Sequence, residues 1–98
     1  MQRTTRVTAD TAIKTNPGRV NWIQITANGA VIGDTWSIKD GTDATGSIKV
    51  DGRLQAANGT WLFPYIHRQG DPGIKCDTGI YFQHNAANGA LIATVCFE

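Results

Sequence analysis

Long hydrophobic runs are missing from this chain. No stretch of its 98 residues approaches the ~18 consecutive apolar positions that a membrane span requires. No basic segment followed by an apolar one opens it either, so we expect no secretory signal and synthesis in the cytosol. Cysteine is reduced to Cys76 and Cys96, without a CxxC pair, which speaks against a disulfide framework and against zinc, whose ligands come in close pairs. Charge of one sign is not in excess. Nine basic against eight acidic residues leave +1, which gives no reason to expect a nucleic-acid or membrane-surface partner. Helical periodicity is absent as well, because eleven glycines and frequent Asn and Asp interrupt every candidate amphipathic stretch. The chain also holds no GxSxG, no HExxH and no glycine-rich phosphate loop. His67 and His84, with Asp71 and Asp77 nearby, fall where apolar alternation runs out into loops, so we expect rim residues there and a protein that is no enzyme and takes no cofactor or metal.

What the chain does have is punctuation. Ala27-Asn28-Gly29, Ala57-Asn58-Gly59 and Ala87-Asn88-Gly89 recur at equal intervals, each opening onto an apolar residue. Asn-Gly between two such runs predicts a two-residue hairpin turn. Agreement between the three copies outside this tripeptide is thin, so the spacing reads as similar hairpins rather than a solenoid repeat. With turn clusters at Asn16-Pro17-Gly18, Asp40-Gly41-Thr42-Asp43 and Gly70-Asp71-Pro72-Gly73, the pattern predicts strands near 3–8, 11–15, 18–27, 30–40, 46–56, 60–68, 74–84 and 90–97. The fold class is therefore all-β: an antiparallel sandwich or partly closed barrel of about 7–8 strands, with three Asn-Gly hairpins, in a single domain. Residues 1–19 would be a basic N-terminal arm with the first strands, and residues 20–98 the sandwich core.

Hairpin turns imply registers, and registers imply faces. The third turn would set Phe82 opposite Val95 and Ile80 opposite Phe97, with Leu91 and Ala93 on the same inner face and Tyr81, Gln83, Thr94 and Cys96 outside. The second would set Leu54 opposite Phe63 and Ala56 opposite Trp61. The first would pair Ile25 with Ile32 and leave Val20, Trp22 and Val31 on the other face of a strand that is apolar on both sides. Such a strand is either central in a two-layer packing or exposed at an interface. That makes Trp22 a candidate contact residue, against simple coverage by a loop or the N-terminal arm. Cys76 would share the face of Ile80 and Phe82 if its strand continued unbroken, away from Cys96.

Two further features bear on function. Arg3, Arg6, Lys14 and Arg19 face only Asp10 within residues 1–19, a net +3, whereas the remainder carries five basic and seven acidic residues, a net −2. Trp22, Trp36 and Trp61 would suit stacking on sugar rings, but Trp61 belongs to an inner face, which leaves Trp22 and Trp36. The acidic run from Asp40 to Gly46 lacks the ligand alternation of a calcium loop and reads as a polar turn.

The order of segments resembles small virion proteins of tailed bacteriophages, of the head decoration (cement) type and related head or tail accessory proteins. The likeness lies in Ile13-Lys14 leading through Pro17-Gly18-Arg19-Val20 into a strand with Trp22, then in Trp36-Ser37-Ile38-Lys39-Asp40-Gly41-Thr42-Asp43. It continues in Pro72-Gly73-Ile74-Lys75-Cys76-Asp77-Thr78-Gly79-Ile80-Tyr81-Phe82 and a last strand. The resemblance implies a non-enzymatic structural protein on the capsid surface, a trimer that binds the major capsid protein and stabilises the assembled head. The contact residues would be Arg3, Arg6, Val20, Trp22, Val31 and Trp36, with the arginines pairing capsid carboxylates. A virion-borne carbohydrate-binding module is the alternative. A neck or tail position also stays open, because no long N-terminal extension is present.

Overall fold

Turn residues at short intervals leave only short strands, and strands of this length are stable when an alternating face meets a second sheet. The computed structural model describes residues 2–65 and 73–98. Among them nine strands form: β1 (Arg3–Val7), β2 (Thr11–Lys14), β3 (Gly18–Asn28), β4 (Thr35–Asp40), β5 (Ser47–Arg53), β6 (Asn58–Pro64), β7 (Ile74–Cys76), β8 (Ile80–His84) and β9 (Leu91–Phe97). One sheet runs β1-β9-β3-β6, with β7 also on β3; the other runs β2-β8-β4-β5. All pairings are antiparallel. The two sheets pack face to face as an open sandwich. It is not a closed barrel.

The core follows from alternation. Ile23, Ile25 and Ala27 of β3, Leu91, Ala93 and Val95 of β9, Ile80 and Phe82 of β8 and Ile38 of β4 are all buried. The predicted inner faces of the last two strands are thus correct. Their pairing is not. Phe82 lies opposite Ile38 and Thr11, and Val95 opposite Ile23 and Thr5, because β8 and β9 belong to different sheets.

The same correction applies to all three Asn-Gly pairs. β3 leads to β4 in the other sheet, β5 to β6 and β8 to β9, so each pair marks a crossover and none closes a hairpin. Asn28 is the last residue of β3, and Asn58, the first of β6, lies opposite it. Ala27 pairs with both Gly59 and Leu91. The Asn58 Oδ1 accepts the Gly29 N–H at 3.0 Å, and the Ala90 carbonyl accepts the Asn28 N–H at 2.8 Å. The equal intervals record three adjacent strands that leave or enter one end of one sheet. Ile25 accordingly lies opposite Trp61 and Ala93, while Ile32 stands in solvent; Phe63 lies opposite Ile23, not Leu54.

Two other expectations change. The strand predicted for 30–40 starts only at Thr35. That predicted for 74–84 breaks into β7 and β8, in different sheets, with residues 77–79 carrying the chain across. Within residues 1–19 the first strands form as expected: β1 and β2 are edge strands, paired with β9 and β8. The one connection between neighbouring paired strands that is read as a turn in both sequence and structure is 41–46, between β4 and β5. The Asp43 carboxylate there accepts the Thr45 N–H and hydroxyl.

Candidate interaction surfaces

The ends of five strands meet opposite the Asn-Gly end. β3 starts there and β9 finishes there, held together by Arg19 N–H to the Glu98 carbonyl (2.9 Å) and Glu98 N–H to the Arg19 carbonyl (3.0 Å). Lys14, the last residue of β2, approaches Gly18 so closely that a Cβ at Gly18 would stand 2.8 Å from its Cδ and 2.5 Å from the Glu98 carbonyl oxygen. Only glycine lets the chain pass between them. β7 then places Lys75 opposite Arg19. Two adjoining clefts result. One, of about 400 Å³, is lined by Lys14, Arg19, Lys75 and Glu98; the other, of about 520 Å³, by Arg3, Lys14, Phe97 and Glu98.

Four cations from four different strands thus line two clefts that share Glu98. Glu98 is already engaged, since its Oε2 accepts the Asn21 amide at 3.1 Å. Lys75 has a second acidic neighbour, Asp77, 3.8 Å away in an exposed pair that contributes little. The local charge is positive. It is offered on an open surface rather than in an enclosed pocket, which suits an acidic protein surface.

Of the six residues expected at contacts, the structure brings few together. Arg3 lines this cationic end, but Arg6 does not: residues three apart on a strand face opposite ways. Arg6 lies beside Thr94 on the outer face of the β1-β9-β3-β6 sheet. Trp22 is on that outer face too, between Cys96 and Pro64, and is half-buried. Val31 is 69% exposed, in the connection from β3 to β4.

Val20 and Trp36 leave the contact set as core residues, 0% and 3% exposed. For Val20 the reason is a bulge. The β3–β9 register breaks between Val20 and Trp22, and one extra residue, Asn21, returns Val20 to the inner side. Trp36 is sealed against Phe63 at a ring separation of 5.4 Å and stacks over Gly52 across the ladder. A sugar platform would therefore have Trp22 without Trp36.

The histidine expectations divide. His67 and Asp71 lie outside the described residues. The His84 ring is tied to the backbone, with Nε2 2.9 Å from the Thr8 carbonyl and Nδ1 accepting the Ala86 N–H at 3.1 Å. Both nitrogens hold loops in place, on a half-buried side chain at the rim. Cys76 and Cys96 are free and buried, Cys76 in the core and Cys96 outside it. Burial pushes the Cys76 thiol up to about 11, with a smaller contribution from the Asp40 charge. Among the described residues no three His, Cys, Asp or Glu side chains gather as a metal site.

Sequence reasoning missed Lys75 at the cationic end and missed that Lys14 and Arg19 belong there. The net +3 of residues 1–19 was the available signal. Which strand ends converge is decided by the crossovers. No protein-family model matches the chain, and no curated protein matches it closely enough to indicate a relationship.

Proposed function

We propose that this chain is a non-enzymatic structural protein of a virion, which binds the capsid surface and stabilises the assembled head. The observation that carries this reading is the cationic end, where Arg3, Lys14, Arg19 and Lys75 present positive charge from four strands on an open surface. A rigid sandwich holds these groups at fixed spacing, so little side-chain and loop ordering is lost on docking to capsid carboxylates. Repeated at every capsomer junction, modest single contacts sum to firm attachment. The order of self-association, three in the proteins it resembles, is read directly from the mass in solution.

Co-sedimentation with assembled tailed-phage heads tests the attachment. Binding should be retained at low salt, fall as salt rises, and be lost when Lys14 and Lys75 are both replaced by Glu. Heads that never retain the protein, or retain it regardless of salt and of charge reversal, overturn the proposal. Labelling confined to the portal vertex or tail would move the same protein to a neck position.

Trp22 on an open outer face favours a second reading, a carbohydrate-binding module. Titration with host polysaccharide decides it: a shift of tryptophan emission that Trp22→Ala abolishes supports sugar binding, and a flat titration removes it.

A further inference from the structure

Among the described residues, the strands that end the two sheet orders differ in one respect; β7, which continues the β6 side of β3, carries Lys75. β1 carries Arg3 and Arg6, β2 carries Lys14, and β5 carries Lys49, Asp51 and Arg53, whereas β6, Asn58–Pro64, has no charged residue at all. Exposed edges are ordinarily guarded by charge, because their unpaired N–H and C=O groups template further strands. Among the described residues no charge guards the β6 strand itself.

Its hydrogen-bonding polarity can be read from one bond. The Tyr65 N–H donates to the Asn21 carbonyl at 2.9 Å. In an antiparallel ladder the bonded residues alternate, so Phe63 and Trp61 also bond toward β3, and Leu62, Thr60 and Asn58 turn their N–H and C=O groups off the sheet. Pro64 falls among the outward residues, where its missing N–H costs the sheet nothing. The free edge is thus competent to pair over Asn58–Leu62, and Pro64 ends it.

Three exposed apolar side chains lie on or near this edge. The large hydrophobics standing in solvent among the described residues are Val31 (69%), Ile32 (68%), Leu62 (60%) and Ile48 (58%). Leu62 is on β6 and faces out from its own sheet, whereas Ile48 lies on the outer face of the other sheet, beside Ser37, Lys39 and Gln83, and takes no part. Val31 and Ile32 belong to the 29–34 connection. That connection is bound to the segment between β5 and β6 through Ala30 N–H to the Ala57 carbonyl (3.0 Å) and Gly33 N–H to the Leu54 carbonyl (2.9 Å). A small apolar groove of about 170 Å³, lined by Trp36, Leu54, Trp61 and Phe63, opens between β5 and β6.

We infer that the β6 edge pairs with the β6 edge of a second copy of this chain, antiparallel across a two-fold axis. Thr60 meets Thr60 of the second copy and Leu62 lies opposite Asn58, so the outward N–H and C=O groups of both strands are satisfied. A second copy is the fitting occupant because an uncharged edge meets itself without like-charge opposition. Self-pairing of β1 would instead oppose arginines. Val31, Ile32 and Leu62 supply on the order of 300 Å² per copy, which with the strand edge makes a small interface of the weak, reversible kind. The dimer is therefore concentration-dependent, and the cationic ends stay outside it.

Sedimentation equilibrium over a range of concentrations tests the pairing. The chain should reach twice its 10.6 kDa mass. Leu62→Lys, an exposed position, should raise the dimer dissociation constant about tenfold or more while the melting curve is unchanged. Ala12→Lys, exposed on the distant β2 edge, should leave it unaffected. If Leu62→Lys does not fold, Val31→Lys carries the same expectation. A monomer at all concentrations, a trimer, or a dimer indifferent to these substitutions overturns the inference. Head binding is measured separately, so a trimer that still binds heads removes this pairing and leaves the proposed function standing.

Discussion

Gly52 lies across the ladder from Trp36, and a Cβ there would stand 2.6 Å from the indole ring. The ring is buried against Phe63 and has little room to yield, so Gly52→Ala should cost about 1–3 kcal/mol by overpacking. Urea unfolding should show this as a lower midpoint at unchanged slope. Asp40 shows the residue scale in its electrostatic form. Its carboxylate accepts N–H bonds from Thr78 (2.8 Å), Asp77 (3.0 Å) and Gly79 (3.4 Å), clamping the end of β4 to the β7–β8 crossover. Those bonds, the one from Thr78 foremost, hold Asp40 below its usual pKa of 3.8. A carboxyl with a depressed folded pKa stabilises the fold above its unfolded pKa, and that stability is lost as pH falls through the folded value. Asp40→Asn should therefore cost about 1–2 kcal/mol at neutral pH and flatten the loss of stability below about pH 4. An acid titration of the melting temperature in both proteins checks it.

The Asn-Gly pairs show why an element needs more than its local signal. The tripeptides promised hairpins, and the glycines do adopt the backbone that promise requires: Gly29 and Gly89 have φ of 72° and 81°. A left-handed residue turns the chain sharply, but whether the next strand lies beside the last or across the core depends on what it must bury. After Gly29 only Ala30 is buried, Val31 and Ile32 stay in solvent, and the chain resumes as β4 in the opposite sheet, where Trp36 and Ile38 fill the core. No side chain crowds either glycine. Gly29→Ala and Gly89→Ala should each cost about 1 kcal/mol, from backbone strain alone. Thermal melts should show two similar, additive decrements, since each substitution strains only its own turn. A large loss at one site alone would show that its crossover does more than turn the chain.

At the scale of the molecule, the two cysteines report on the sandwich as a whole. Both are buried, and burial holds Cys76 un-ionised at neutral pH. Neither thiol should react with iodoacetamide in the native protein at pH 8, and both should react in urea; a native thiol that reacts would mean that β7 or the end of β9 opens. Strand positions, inner faces and the fold class were legible in the sequence, because alternation and turn residues act within a few residues of each other. The basic surplus of residues 1–19 was legible too, yet not its destination. Sheet membership, the bulge that returns Val20 to the core, the burial of Trp36 and the meeting of Arg3, Lys14, Arg19 and Lys75 were not. Each depends on pairing between residues far apart in the chain, which local propensity cannot specify. The sequence by itself determined which residues want water and which do not. Tertiary structure decided which strands lie side by side, because burying both sheets' apolar faces at once is a condition on the whole chain.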